Sequence, residues 1–180
     1  MLALILTHPI SMGSRRQARE RAVQFLFQFD MNPQEDLKSA LEHFWLHQRP
    51  EVIEMLEGKS SWGEHKELPP PTDGDTTIQQ FAEPLVRGVI QNRDSIDREL
   101  SSLATNWDLH RMAGVDRNVL RLAVYEMLHR NDIPPVVSIN EAVDIAKKFS
   151  TEDSGKFVNG ILDKMKSRLE RPARTATEAG

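Results

Sequence analysis

The chain has no cysteine, which excludes disulfide staples, thiolate metal sites and a cysteine nucleophile at once, and is in keeping with a cytoplasmic protein. It has no glycine-rich phosphate loop, no G-x-S-x-G elbow and no strand–turn–helix unit to hold a dinucleotide, so redox, kinase and hydrolase chemistry lose their usual supports. No window alternates apolar and polar residues in the manner of a strand. Long apolar runs are missing too. Met1 to Ile10 is apolar but far short of the ~20 residues a membrane-spanning helix needs, and it has neither a basic leading region nor a small-residue cleavage pattern. It reads as a disordered extension over residues 1–13, or as an upstream start with Met12 the true initiator. Basic residues are not in excess, at 23 Lys and Arg against 27 Asp and Glu, so a protein that coats nucleic acid indiscriminately is disfavoured.

What charge there is lies unevenly. Arg15, Arg16, Arg19 and Arg21 stand together against Glu20 alone, and Lys164, Lys166, Arg168, Arg171 and Arg174 against Glu170 alone, leaving an acidic body between two basic ends. That distribution suits a localised anionic ligand, although either patch by itself is equally a solvated helix face.

Helical periodicity accounts for most of the rest. Ala18, Ala22, Phe25, Leu26 and Phe29 predict a helix over Ser14 to Asp30 with Ser14 as its cap, the first-turn arginines projecting away from the core stripe. A second helix is predicted from Glu35 to about Leu46. Residues 47–77 lose this regularity. A short helical piece around Glu51 to Glu57, a polar stretch with Trp62 and a proline run ending in a turn at Gly74 read as an inserted surface excursion. A long helix is expected from Thr77 to about Ala104, kinked at Pro84, and another over Val115 to Arg130, apolar nearly all round and so central. The class is all-α: a helical bundle of two three-helix-like subdomains, residues 14–104 with the insertion and 105–170, followed by a disordered tail over 171–180.

The last third is the most informative. Ser138 with Glu141 three residues on has the form of a capping box, predicting a helix start there. Ser150 to Ser154 predicts a second start, a ready anion site at the positive end of the helix dipole. Val158, Ile161, Leu162, Met165 and Leu169 make that helix's core stripe, from which Phe157 lies roughly 100° away. Phe157 is either an edge aromatic packed on a neighbouring helix or a ring available to a nucleic-acid base. His43 and His47, four apart, have metal-like spacing without a third ligand, and read as surface histidines. Asp144 with Lys148 reads as an ordinary i, i+4 surface pair.

Three segments, SRRQARERAVQFLFQFD, GVDRNVLRLAVYEML and INEAVDIAKKFSTEDSGKFVNGILDK, together resemble the NusB family of bacterial transcription antitermination factors, over about residues 14–46 and 78–169 and in the family's order. The resemblance implies an all-helical fold, no catalysis and no cofactor. It implies pairing with the ribosomal protein NusE, binding of single-stranded boxA RNA by the pair, and assembly with other Nus factors and RNA polymerase, away from any membrane, in support of ribosomal RNA synthesis. Carried over by motif position, it implies Arg15, Arg16, Arg19, Asp153, Ser154, Lys156 and Phe157 as RNA contacts and Asp116 and Arg117 as partner contacts. Position 27 departs from the family, with Phe where Tyr is frequent, and residues 47–77 are longer than the family's usual connection. The rival reading is a helical protein-interaction adaptor whose arginines are merely solvated. A third, an enzyme, arises because this module also occurs fused to RNA methyltransferases, but the chain has no nucleotide-binding unit to support it.

Overall fold

A computed structural model describes residues 12–32, 36–49, 52–53, 70–104, 108–170 and 172–176. Seven α-helices account for nearly all of these: α1 (Met12–Met31), α2 (Leu37–His47), α3 (Asp73–Gln91), α4 (Arg93–Leu103), α5 (Gly114–His129), α6 (Pro135–Phe149) and α7 (Glu152–Arg168), with one 3₁₀ turn at Leu109–Arg111. Among the described residues there is no strand, and no helix is long and apolar enough to cross a membrane. The all-α class expected from the periodicity is the class observed.

α5 is the axis. It packs against α1, α3, α4, α6 and α7, as a helix apolar nearly all round must. Val119, Leu120, Leu122, Ala123, Val124 and Met127 are buried in a single apolar core that draws on all seven helices. One of its crossings is set by size. A Cβ on Gly88 of α3 would stand 2.0 Å from the Tyr125 ring, so the crossing of α3 over α5 requires glycine there. The side chain missing at residue 88 is the space the tyrosine fills.

Several element boundaries differ from expectation. α1 runs on to Met12, placing Ser14 inside the helix rather than at its cap. α2 starts at Leu37, where Asp36 accepts from the Ser39 amide at 2.9 Å; Glu35 lies outside the described residues. α3 starts at Asp73 rather than Thr77. Thr72 and Asp75 form a reciprocal capping box there, with the Asp75 amide 3.2 Å from Thr72 Oγ1 and the Thr72 amide 3.0 Å from Asp75 Oδ2. Thr-Asp-Gly-Asp thus opens a helix instead of turning a linker.

The single long helix expected to Ala104 is two. Pro84 sits exposed within α3, which continues through it; the break comes at Asn92, with φ −105° and ψ 13°. The Asn92 side-chain amide reaches the Gly88 carbonyl at 2.8 Å and its backbone amide reaches the same oxygen at 3.1 Å, the competition with the helix ladder that asparagine favours. Val52 and Ile53 are helical, with Val52 fully buried; the remainder of the expected piece over 51–57, together with Trp62, lies outside the described residues. Part of the tail expected to be disordered returns to the fold. The Ala173 carbonyl accepts from the Val136 amide at 3.0 Å, satisfying one of the orphan donors at the start of α6.

Candidate nucleic-acid interface

The basic first turns of α1 divide among three environments. Arg15 is exposed, its guanidinium 5.8 Å from the centroid of the Phe81 ring. Arg16 is half exposed and crosses to α6, where it pairs with Glu141 at 2.9 Å and Asp144 at 2.8 Å. The hydrogen bond it donates to Glu141, and then the charge of that carboxylate, hold this guanidinium protonated more firmly than usual. Arg19 differs from expectation. Only 4% exposed, it donates to Glu126 on α5 at 2.8 Å, and Glu126 accepts in turn from Ser138 at 2.7 Å. Arg15 and Arg16 thus remain at the surface, whereas Arg19 turns inward and neutralises a buried carboxylate.

That network also overturns the capping box expected at Ser138. α6 begins at Pro135, whose fixed φ and missing N–H suit the first helical position, and Ser138 is a buried interior residue spent on Glu126. Glu141, freed from capping, turns to Arg16. Nor is Asp144–Lys148 a local pair: Asp144 takes Arg16 and Lys148 takes Glu20 at 2.7 Å. The α1–α6 seam is thus stitched by charge, residues 16 and 20 of one helix opposite 141–144 and 148 of the other.

The corner between α6 and α7 is built on Thr151, whose hydroxyl caps α7 by accepting from the Ser154 amide at 3.0 Å. Ser154 is buried and donates to Asp116 Oδ2 at 3.0 Å, tying the start of α7 to the start of α5. Asp153 and Lys156 stand in solvent, paired at 3.0 Å. Phe157 is partly buried against the core, between the two readings weighed for it. It shares a cavity of about 360 Å³ with Arg111, Asp116, Thr151, Asp153 and Ser154. Asp116 is 7% exposed, and its Oδ1 has no hydrogen-bond partner among the described residues. Arg117 turns inward to Asp30 at 2.7 Å and is 19% exposed.

α6 bridges the basic turn of α1 and the α7 corner. Glu141 touches Arg16 at one end, while Lys147 pairs with Glu152 and lies along Gly155 at the other. The rise between residues 141 and 149 is about 12 Å. Sequence reasoning missed Arg111 at the rim of the cavity, and it missed the exposed pair Phe27 and Met31, one turn apart on α1, where a Cβ on Gly114 would meet the Phe27 ring at 2.9 Å. The i, i+4 spacing of those two large apolar residues was a usable signal; Arg111, some forty residues before the corner it lines, left none. His47 Nδ1 stands 2.7 Å from the His43 carbonyl, a contact within one turn of α2.

A family model described as "NusB family" matches residues 16–167. Transcription antitermination protein NusB of Anaeromyxobacter dehalogenans is 45% identical over 164 residues, covering 91% of this chain and 97% of that protein. Among solved structures, T. maritima NusB superposes with a TM-score of 0.63 at 35% identity, covering 88% of this chain and 92% of that one. A chain from the crystal structure of antitermination factors NusB and NusE in complex with dsRNA superposes with a TM-score of 0.62 at 26% identity, covering 88% and 100%. Axis helix, stitched seam and capped corner therefore sit in a known frame: this chain belongs to the NusB family of transcription antitermination proteins.

Proposed function

We propose that this protein binds the boxA element of single-stranded nascent RNA together with NusE, and with other Nus factors and RNA polymerase supports processive ribosomal RNA transcription. The observation that carries the reading is that α6 contacts both clusters' helices, through Glu141 to Arg16 on the basic turn of α1 and through Lys147 to Glu152 in the first turn of α7, the helix of Lys156 and Phe157. Guanidinium and ammonium groups take phosphates, and an aromatic ring such as Phe157 stacks on a base. Two clusters joined through one helix suit a few nucleotides of a single strand. The superposed NusB chain comes from a complex with NusE and RNA, which supports the same partners here. For NusE, the exposed Phe27 and Met31 beside Gly114 offer an apolar strip, with Asp116 and Arg117 at the adjoining start of α5.

Three cationic contacts imply a salt slope near −2 and about a twentyfold loss of RNA affinity between 50 and 200 mM salt. A lone chain thus binds weakly, and a partner's help is expected. Arg15→Ala with Lys156→Ala, both at exposed sites, is expected to weaken binding of a boxA oligoribonucleotide at fixed salt while leaving the melting temperature nearly unchanged. Unaltered RNA affinity, with NusE capture retained, assigns the protein instead to the adaptor class.

A further inference from the structure

The seam between α1 and α6 carries more acid than base, since Arg16 and Lys148 meet Glu20, Glu141 and Asp144. Arg16 is held by the edge with which a guanidinium forks onto phosphate. Its Nε stands 3.3 and 3.1 Å from the two Glu141 oxygens, and its Nη2 stands 2.9 Å from Glu141 Oε1 and 2.8 Å from Asp144 Oδ2. The two acids are unequal. The Glu141 side chain is 12% exposed and anchored in the seam, whereas that of Asp144 is 50% exposed and free to swing into water. Arg15, one residue earlier, faces the Phe81 ring instead.

We propose that Glu141 and Asp144 set the specificity of the RNA site by occupying the phosphate-gripping edge of Arg16; this rests on the RNA-binding reading above. A passing polyanion gains little from Arg16, because it must first displace a carboxylate that is already hydrogen-bonded. A strand held by Arg15 and by the Lys156–Phe157 corner makes that exchange within the complex, where the effective concentration of its next phosphate is high. Asp144 then yields its place on Nη2, and Glu141 keeps the guanidinium aimed. The acids thus supply a repulsive element against wrong partners, the counterpart of the attractive contacts to the right one.

The test titrates the full chain and its Asp144→Asn, Glu141→Gln and doubly substituted variants with a boxA oligoribonucleotide and with an unrelated single-stranded RNA of equal length, each also in an Arg16→Ala background. The double variant is expected to bind the unrelated RNA on the order of tenfold more tightly, the worth of one charge-assisted hydrogen bond, with a salt slope steeper by about 0.7. The gain for boxA RNA is smaller, so discrimination falls, and both gains disappear with Arg16→Ala. Unchanged or weaker binding overturns the proposal, because the acids then merely hold Arg16 in place. An equal gain without Arg16 overturns it too, as an effect of bulk charge. Asp144→Asn, at an exposed position, keeps the experiment readable should Glu141→Gln loosen the seam. If the unsubstituted chain binds neither RNA, the RNA-binding reading itself falls, an outcome distinct from binding without the predicted gain.

Discussion

Arg15, Arg16 and Arg19 lie within two turns of one helix, and their carboxylate neighbours decide what each does. Arg19 and Glu126 are both almost wholly buried, their charges matched at 2.8 Å and the second Glu126 oxygen satisfied by Ser138. Breaking such a pair strands the remaining charge in a low-dielectric interior. Arg19→Ala is therefore expected to destabilise the fold by about 3–5 kcal/mol, whereas Arg15→Ala, at an exposed position, changes stability by no more than about 0.5 kcal/mol. Urea denaturation of the two variants side by side checks this. Equal, small losses show that Arg19 is solvated and free to meet RNA after all.

At the scale of elements, where helices touch matters more than how well each one forms. Gly88 ought to weaken α3, since glycine in a helix interior costs about 1 kcal/mol relative to alanine. Yet a Cβ there meets Tyr125 Cζ at 2.0 Å and its Oη at 2.1 Å, and this half-buried ring, packed on the core and stacked on His129, must shift to admit it. Gly88→Ala is expected to lower stability by about 2 kcal/mol net, overpacking outweighing propensity. Gly155→Ala makes the comparison, because its new methyl meets only the flexible Lys147 side chain at 2.7 Å and is accommodated by a rotamer change. Thermal melts that rank Gly155→Ala as the more damaging of the two contradict this account of the α3–α5 crossing.

Across the whole molecule, Asp30 at the end of α1 is the charge that joins the helices. Its carboxylate accepts from Arg117 at 2.7 Å and Arg121 at 3.2 Å on α5, and from Arg93 on α4, while Arg121 also grips Asp97 at 2.7 Å. Burial pushes the Asp30 carboxyl up, but the Arg117 hydrogen bond and the charges of Arg121, Arg93 and Arg117 outweigh it and hold the group below its usual range. A carboxylate with a depressed folded value stabilises fully above its unfolded pKa of about 3.9 and loses that contribution as pH falls through the folded value. Asp30→Asn is thus expected to be less stable than the unsubstituted chain at neutral pH, with the gap narrowing below about pH 4. Chemical denaturation across that range measures it, and a gap independent of pH rules out the charge as its source.

Periodicity and short-range chemistry alone determined the all-helical class, the central place of α5, a helix start within Ser150 to Ser154 and the candidate status of Phe157, because each depends on residues a few positions apart. The segments that resemble the NusB family implied the family membership that the comparisons show, which no spacing contains. Tertiary structure decided the rest. Ser138 had the form of a cap and became a buried hydroxyl because Glu126, twelve residues away, needed a donor. Arg19 resembled its exposed neighbours until α5 laid Glu126 against it, 107 residues along the chain. Asp144 and Lys148 have ideal local spacing, yet each found a partner on α1. Charged side chains choose among all the counter-ions that folding brings within reach, and a linear pattern holds only the nearest of those.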